Sequence, residues 1–239
     1  MIKNFKKKYI KNLLVYHLYR YLKYRLMYFK TFGAMGEDVL INKIFKHKNG
    51  FFVDVGALHP VNGSLTYNLY KRGWTGINID IDKHNIKLFK LLRPKDQSIN
   101  CAISSNRGTV NTYIFSSGSG LNTLEKSWAE KWSKKINQKF SVRKIKKRTL
   151  NHVVKEYGIP KNIELLNIDV EGHEVEVLKG VSFKNFRPKI ITVEIHVKNT
   201  KEIFHKPIYK ILHKNGYDLI SQYYQTSFFK AKEYVITNI

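Results

Sequence analysis

The chain has 239 residues, 43% of them hydrophobic and 13% aromatic, which is enough for one domain with a substantial core plus an appendage. This composition excludes a disordered or fibrous protein. The single cysteine, Cys101, excludes a disulfide scaffold and a cysteine-based metal centre. No run of 18 or more apolar residues is present, so the sequence predicts no membrane span.

The net charge is +25, from 43 Lys and Arg against 18 Asp and Glu, and it is concentrated in two segments. Residues 1–36 hold nine basic residues and no acid, residues 131–148 hold nine more and no acid, and the other 185 residues carry only +7. Such segments favour polyanionic partners. However, 35 of the basic residues are Lys and only eight are Arg, which an AT-rich genome would also produce. Both interpretations stay open.

Residues 1–30 have apolar side chains at three- and four-residue spacing, with lysines crowding the first half, and this pattern predicts an amphipathic helix. The helix could lie in the plane of an anionic membrane, or pack on its own domain or on a partner subunit. We therefore expect a basic helical extension over 1–36 and a globular domain over 37–239. The expected location is the cytoplasm, with peripheral contact at the inner face of the membrane.

Apolar runs and amphipathic segments alternate along the rest of the chain, and this pattern predicts buried parallel strands separated by helices. The predicted strands are 51–56, 76–80, 98–104, 111–115, 163–169 and 189–196, followed by a hairpin over 217–225 and 227–235. The predicted helices are 36–46, 64–72 (with Ser64 as N-cap), 83–92, 149–157, 174–178 and 207–215. The alternation indicates an α/β fold, a Rossmann-like doubly wound and mostly parallel sheet.

An insertion over 116–148 interrupts the alternation with a Ser/Gly loop, a helix that holds Trp128 and Trp132, and a basic stretch. An insertion of this kind in an α/β domain is expected to form a lid over the substrate. Its tryptophans and Tyr113 could stack on a sugar ring, although aromatic core positions are commoner.

Acidic residues follow several predicted strands, where ligands of such sheets bind. Asp54 and Gly56 close the first strand, Asp80 the second, and Asp169 the strand before helix 174–178. Glu194, with His196 two residues later, closes the last parallel strand. Carboxylates thus gather at one sheet edge of a chain that is otherwise poor in acid.

The turn after the first strand lacks the dinucleotide-binding glycine spacing, because the next glycine after Gly56 is Gly63. Asp80 follows Gly56 by 24 residues, which suits a carboxylate that accepts hydrogen bonds from ribose hydroxyls. A nucleoside without a pyrophosphate, such as S-adenosylmethionine (SAM), fits this pattern better than NAD. Its carboxylate is expected at the amides of the predicted helix start over 64–66.

A second cluster, Asn167-Ile168-Asp169-Val170-Glu171-Gly172-His173-Glu174, ends another buried strand. Helix capping explains one carboxylate, but not Asp169 and Glu171 together with His173. The cluster therefore predicts chemistry at this turn.

The sequence resembles the FkbM-type SAM-dependent methyltransferases in a series of motifs that come in the family's order across residues 32–196. The motifs are FGAMGED (32–38), FVDVGALHP (52–60), Ser64-Leu65-Thr66, LYKRGWTGINID (69–80), RPKD (93–96), NCAIS (100–104), LNTL (121–124), LLNIDVEGHEVEVLKG (165–180) and RPKIITVE (187–194). The main departure is Leu65, where the family usually has Asn, and this leaves a contact at that position in doubt.

The resemblance implies a class I methyltransferase fold and methyl transfer to a hydroxyl, often on a sugar in glycan, lipopolysaccharide or antibiotic biosynthesis. It also implies contacts with SAM, which we carry over to Asp54, Gly56, Ser64, Thr66, Asp80 and the backbone of Ala102. Asp96 precedes its strand and is therefore interpreted as structural.

A sugar hydroxyl is barely acidic, so a base must take its proton as the new bond forms. The catalytic candidates are Asp169, Glu171, His173 and Glu194. Alternatively, Asp169 and Glu194 could hold a divalent cation that lowers the pKa of the hydroxyl. Direct base catalysis is the favoured interpretation.

The expected acceptor is a small molecule or glycan, phosphorylated or nucleotide-linked, because the basic insertion lies in the lid region. An RNA ribose methyltransferase is the alternative that the charge supports, but the insertion has only Arg143 and Arg148 as arginines, and nucleic acid is not favoured. A further alternative is an inactive membrane-surface module, which the carboxylates at four strand ends argue against.

Overall fold

The computed structural model describes residues 31–46 and 49–236. The predicted helix over 1–30 and its membrane contact lie outside the described residues and stay predictions. From Phe32 onward the described residues form one compact unit. Within the described part of the chain, no helix is long and apolar enough to cross a membrane.

Ten strands and seven α-helices alternate along the described residues. The strands are β1 (Phe51–Val55), β2 (Thr75–Asp80), β3 (Gln97–Asn100), β4 (Ala102–Ile103), β5 (Gly108–Ile114), β6 (Ser141–Arg148), β7 (Asn162–Ile168), β8 (Arg187–Glu194), β9 (Tyr217–Tyr223) and β10 (Thr226–Ala231). The helices are α1 (Asp38–Ile44), α2 (Tyr67–Lys71), α3 (Lys83–Leu92), α4 (Lys126–Ile136), α5 (Leu150–Glu156), α6 (Glu174–Lys179) and α7 (Pro207–Lys214), with a 3₁₀ helix at Thr200–His205.

Seven strands form the main sheet in the order β3-β2-β1-β7-β8-β10-β9. The first five strands of this order pair in parallel, and the terminal hairpin β9–β10 joins β8 antiparallel. The central strand β1 lies between β2 and β7, so the chain leaves β1 and β7 in opposite directions. This is the switch point at which doubly wound sheets bind ligands. The predicted Rossmann-like α/β fold is confirmed.

Consecutive apolar residues of each central strand pack on opposite faces of the sheet, because strand side chains alternate. Val53, Leu166 and Ile191 belong to the larger apolar core, whereas their neighbours Phe52, Leu165 and Ile190 belong to the second. The continuous apolar runs in the sequence therefore reflect strands that are covered on both faces.

The predicted strand 98–104 is wrong as a single element. It divides into β3, which ends the main sheet, and β4, which pairs with Lys147 and Arg148 in a separate three-stranded sheet of order β4-β6-β5. The basic stretch of the insertion is itself a strand, β6, which pairs with β5 from Gly108 to Ile114. Its lysine-rich sequence has no strand periodicity, and backbone pairing with β5 and β4 makes it a strand.

The predicted helix start at Ser64 is also wrong. Helix α2 begins at Tyr67, and its N-cap, Thr66, makes no side-chain capping hydrogen bond. The side chains of Ser64 and Thr66 are instead bonded within the core, as described below, so they are not free to cap the helix. The SAM carboxylate site predicted at that helix start loses its structural basis.

Candidate active site

An open cleft runs along the carboxyl ends of β1, β2 and β7. It consists of two cavities, of ≈ 620 Å³ and ≈ 820 Å³, which are open to solvent and share Gly56, Leu58, Asp169 and Glu171. The first is lined by apolar side chains that include Ile79, Ile81, Cys101 and Ile103. A concave cleft with apolar walls and a few convergent polar groups suits a small-molecule ligand.

Gly56 forms the floor of the cleft and has a backbone conformation with φ +83°. A Cβ at this position would lie 1.6 Å from the backbone oxygen of Asp169. Only glycine therefore allows the turn after β1 to approach the turn after β7. This close approach joins the two turns that line both cavities.

Asp80 ends β2 and faces the first cavity, as the sequence predicted. Its carboxylate accepts hydrogen bonds from the backbone N–H of Leu58 at 2.8 Å and of Asp82 at 2.6 Å, and from the Asn85 amide at 3.2 Å. Burial raises the pKa of Asp80 to about 7 although these donors oppose the shift. The carboxylate is thus held rigidly at the edge of an apolar cavity.

Asp54 is buried in β1, and both of its carboxylate oxygens accept hydrogen bonds from the protein. Thr66 Oγ1 donates to one oxygen at 2.8 Å, and Asn167 Nδ2 on β7 donates to the other at 2.9 Å. Thr192 on β8 in turn donates to Asn167 Oδ1 at 2.7 Å. Burial raises the pKa of Asp54 even so. This polar chain crosses three strands, and Asp54 lines the second cavity at its end.

Arg93, in the loop after α3, completes this network on the opposite side. Its guanidinium is fully buried, ion-pairs with Asp96 at 2.7 Å and donates to Thr66 Oγ1 at 3.0 Å. Three aromatic rings surround it with centroids 5.0–5.2 Å away, those of Phe52, Tyr70 and Phe89. These contacts agree with the prediction that Asp96 has a structural role. We refer to five residues as the Asp54 network: Asp54, Thr66, Arg93, Asp96 and Asn167.

Three of the predicted cofactor contacts, Thr66, Ser64 and Ala102, lie at different positions relative to the cleft. Thr66 is fully buried behind Asp54 and acts on the cleft through that carboxylate. Ser64 is buried but borders the second cavity. Ala102 is buried in β4, and its neighbours Cys101 and Ile103, rather than Ala102 itself, line the first cavity.

The turn from β7 to α6 holds two consecutive residues with positive φ, Glu171 at 54° and Gly172 at 99°. Thr123 Oγ1, from the insertion, donates to the Glu171 carbonyl at 2.8 Å. The Glu174 carboxylate accepts from the backbone N–H of Val170 and Gly172. A left-handed glutamate is a strained conformation that tends to mark functional turns, and here it directs the Glu171 side chain into the cleft.

Glu171, Glu194 and His196 each present one ligand atom within 4.8 Å of the others. Glu194 Oε2 lies 3.1 Å from His196 Nε2, yet neither buried atom has a hydrogen-bond partner of proper geometry among the described residues. We call these three residues, with Asp169, the acidic cluster. Glu194 is thus grouped with Glu171 and His196 as a candidate metal site, rather than with Asp169 as predicted.

Desolvation and the charge of neighbouring carboxylates raise the pKa values of Asp169 and Glu171 in the acidic cluster. Asp169 is exposed to solvent and borders both cavities, and desolvation within the cleft, followed by the charge of Glu194, raises its pKa well above the ordinary value. Desolvation and Glu194 also raise the pKa of Glu171 to about 8. The Glu194 carboxylate raises the pKa of His196. These are groups that can exchange protons near neutral pH.

His173 has no free ring nitrogen. Its Nδ1 lies 2.5 Å from Glu125 Oε1, and its Nε2 lies 3.0 Å from Ser104 Oγ. Because the imidazole is buried between β4, α6 and the insertion, it connects these elements and does not reach the acidic cluster. The histidine of the cluster is His196, which sequence reasoning placed at the right sheet edge but did not select.

Trp128 of α4 forms a wall of the acidic cluster. Its indole Nε1 donates to Glu171 Oε2 at 3.1 Å, and its ring centroid lies 4.9 Å from that of His196. Gly172 lies beside this ring, and a Cβ there would make an ordinary van der Waals contact with it at 3.5 Å. The insertion therefore reaches the site, as a lid would.

The sequence model of the methyltransferase FkbM domain matches residues 54–219, more than two thirds of the chain. The chain belongs to the FkbM methyltransferase family. The match includes Asp54, the acidic cluster and the whole insertion. The resemblance predicted from the motifs is confirmed, and the protein is a SAM-dependent methyltransferase.

Two solved structures are similar to this FkbM methyltransferase. A TehB-like SAM-dependent methyltransferase from Corynebacterium glutamicum has a TM-score of 0.42 and 10% identity over 95% of this chain and 100% of that one. WbdD has a TM-score of 0.45 and 13% identity over 84% of this chain and 41% of that one. Among curated proteins, no sequence matches this chain significantly. The family assignment rests on the domain match.

The cleft of this FkbM methyltransferase fits SAM. Asp80, at the edge of the apolar first cavity, suits a ribose whose base packs against Ile81 and Ile103. Asp169 and Glu171 border both cavities, and their repelling carboxylates favour a cationic ligand. SAM carries positive charge on its sulfonium and its amino group, which complements an acidic cleft in an otherwise basic protein.

Proposed function

We propose that this FkbM methyltransferase transfers a methyl group to a hydroxyl oxygen, on a sugar in glycan, lipopolysaccharide or nucleotide-sugar biosynthesis. The observation that carries the proposal is the acidic cluster at the edge of the SAM cleft. A hydroxyl acceptor needs a base, and it needs acceptors that orient its O–H bonds. In this site, carboxylates can accept hydrogen bonds from the hydroxyls of a sugar, and the adjacent indole ring can pack against the apolar face of the sugar.

When bound, SAM supplies a methyl group on a sulfonium that is already activated for attack. The chain's own residues then have two tasks, to hold the acceptor oxygen in line with that methyl group and to take its proton. Asp169, which borders both cavities, is the residue that orients the hydroxyl.

His196 is the proposed base. Glu194 faces its Nε2 and stabilises the imidazolium that forms when the ring accepts the proton. No hydrogen bond from the described residues occupies its Nδ1, which leaves that nitrogen for the acceptor. The favoured mechanism of direct base catalysis thus keeps Glu194 and Asp169 from the predicted set and replaces His173 with His196.

The test compares Asp169→Asn and His196→Asn with Glu164→Gln. Glu164 lies on β7, near the end opposite the turn that holds Asp169, and its carboxylate accepts a hydrogen bond from Lys189 Nζ. Methylated products from nucleotide-sugar, glycolipid and RNA pools are identified by mass spectrometry, and SAM affinity is measured by calorimetry. The two site variants should lose about 100-fold or more in turnover, as expected for loss of a general base or its positioning. SAM should still bind to both variants, and the Glu164 variant should stay near wild type in turnover.

Turnover near wild type in Asp169→Asn would reject the site, and a methylated RNA product would replace the sugar acceptor. Chelation separates the two mechanisms. We expect EDTA to leave turnover unchanged. If activity disappears with EDTA and returns with Mg²⁺ or Mn²⁺, then Glu171, Glu194 and His196 act as metal ligands instead.

A further inference from the structure

Helix α4 presents two tryptophans and two lysines on one side of the helix. Trp128, Lys131, Trp132 and Lys135 are three or four residues apart, so they share an arc of the helix surface. We call these four residues the Trp–Lys face. Lys126 and Lys134 lie outside this arc on the same helix, which makes them matched controls.

One end of the Trp–Lys face is already part of the proposed acceptor site. Trp128 donates to Glu171 at 3.1 Å and packs on His196. Any acceptor whose hydroxyl reaches the acidic cluster therefore has Trp128 beside it. The face then continues away from the cluster by about 6 Å per four residues of helix.

The other end of the face has unused hydrogen-bond capacity. Trp132 packs against Trp128 with centroids 6.2 Å apart, and its buried Nε1 has no hydrogen-bond partner among the described residues. Lys135 Nζ lies 4.2 Å above the Trp132 ring, and Lys131 Nζ lies 5.2 Å above the Trp128 ring. A buried indole N–H without an acceptor, in a ring that has an ammonium group above it and a second one over the neighbouring ring, points to an anionic ligand.

The charge around the face agrees with such a ligand. Residues 126–147 contain nine Lys and Arg but a single acid, Glu130, and that acid lies 3.6 Å from Lys126. The acidic cluster and this basic surface meet at Trp128. A ligand that spans them must offer hydroxyls at one end and negative charge at the other.

We propose that the Trp–Lys face binds the phosphate group of a sugar phosphoester acceptor, either a free sugar phosphate or a nucleotide-linked sugar. Lys131, Lys135 and the Trp132 N–H take the phosphate oxygens, and the sugar ring lies along Trp128 with its reacting hydroxyl at the acidic cluster. This inference rests on the proposed O-methylation and identifies the substrate class of that same site.

The test measures pyrophosphate binding by calorimetry in the full chain with SAM present. Lys131→Met/Lys135→Met should weaken pyrophosphate about tenfold or more, whereas Lys126→Met/Lys134→Met should change it by less than about twofold. Both double variants remove two positive charges from one helix, so the general field of the protein falls equally in each. Trp132→Phe, which keeps a ring but removes the donor, should weaken binding by about threefold.

Equal weakening in both double variants would overturn the proposal, because it would show a non-specific effect of charge. Pyrophosphate affinity that neither variant changes would also overturn it. A third outcome would also overturn the proposal. If Lys131→Met/Lys135→Met keeps its affinity for pyrophosphate but loses affinity for a single-stranded RNA, and if that RNA affinity depends steeply on salt, the face binds nucleic acid.

Uridine diphosphate and glucose 1-phosphate distinguish the two sources of the phosphoester. Each compound is titrated against the pyrophosphate-bound protein, and its affinity for the site is compared with that of pyrophosphate. A higher affinity of uridine diphosphate supports a nucleotide-linked acceptor. An affinity of glucose 1-phosphate similar to that of pyrophosphate supports a simple sugar phosphate. These are binding measurements that require no methyl transfer. A specific pyrophosphate site combined with an active Asp169→Asn variant would therefore reject the proposed mechanism alone.

Discussion

The carboxylates on the two sides of the cleft differ in how many hydrogen bonds the protein donates to them. We call the side with Asp54 and Asp80 the satisfied side, and the side with the acidic cluster the unsatisfied side. Asp54 accepts two hydrogen bonds from the protein and Asp80 accepts three. None of the described residues donates to the Asp169 carboxylate, and the Glu194–His196 contact lacks hydrogen-bond geometry. Asp169 is exposed to solvent, but the Glu194 and His196 atoms are buried, and buried unsatisfied polar groups cost free energy of folding. Such groups persist where function requires them. The satisfied side holds the cleft in shape, and the unsatisfied side is left for ligands.

Gly56 joins the two sides, and its replacement should have the largest effect. Gly56→Ala puts a Cβ 1.6 Å from the Asp169 backbone oxygen, which the parallel pairing of β1 and β7 prevents from moving away. We expect the free energy of unfolding to fall by about 4 kcal/mol or more in urea titrations. Gly63→Ala is the control, because Gly63 also has positive φ but nothing within 4 Å; it should cost about 1 kcal/mol. Equal costs would show that the two turns do not constrain each other.

Arg93→Met tests whether the satisfied side depends on its buried cation. This variant leaves the buried carboxylate of Asp96 without its ion pair, and Thr66 without a donor, so unfolding free energy should fall by about 3–5 kcal/mol. Arg93→Met/Asp96→Leu removes both charges and should be more stable than the single variant, as measured by the same titration. A single variant within about 1 kcal/mol of wild type would contradict the network.

Asp80→Asn should have the smallest effect on the free energy of unfolding. It tests whether the buried Asp80 carboxylate, although it accepts three hydrogen bonds, destabilises the fold when it is ionised. The pKa of Asp80 is raised to about 7 in the folded protein, above its value in the unfolded chain. The folded state therefore binds more protons between about pH 4 and pH 7, and this group's contribution to stability falls as the pH rises through that window. Relative to Asp80→Asn, wild type should lose about 2 kcal/mol between pH 5 and pH 8.

The same variant should weaken SAM about tenfold at pH 8, because an amide replaces the carboxylate that faces the ribose. Unfolding titrations at the two pH values and calorimetry with SAM provide the measurements. Asp218→Asn, at an exposed position of β9, serves as control. Parallel pH profiles for wild type and Asp80→Asn would contradict the raised pKa.

Several features of the fold and the site could be predicted from the sequence because their causes are local. Apolar runs that end in Gly, Asp or Glu identified β1, β2, β7 and β8, and the helix over 83–92 was predicted with its correct bounds. The turns at Asp54, Asp80, Asp169 and Glu194 lie at one sheet edge because parallel strands bring their carboxyl ends together. The FkbM motifs then identified the family and its cofactor.

Other features depended on contacts between residues distant in sequence. His173 and His196 are equally suitable bases by residue type, and only packing shows that Glu125 and Ser104 occupy both nitrogens of His173. The basic stretch 141–148 is a strand because β5 and β4 pair with it.

By itself, the sequence determined a doubly wound sheet, its family and the edge at which the chemistry lies, because strand periodicity and strand-end residues are properties of short segments. It also showed that the charge of +25 is concentrated outside the acid-bearing core. Only the tertiary structure decided which carboxylates are satisfied, which histidine is free, and that the basic insertion reaches the acidic cluster through Trp128. These outcomes depend on which side chains meet across the fold, and residue type does not specify them.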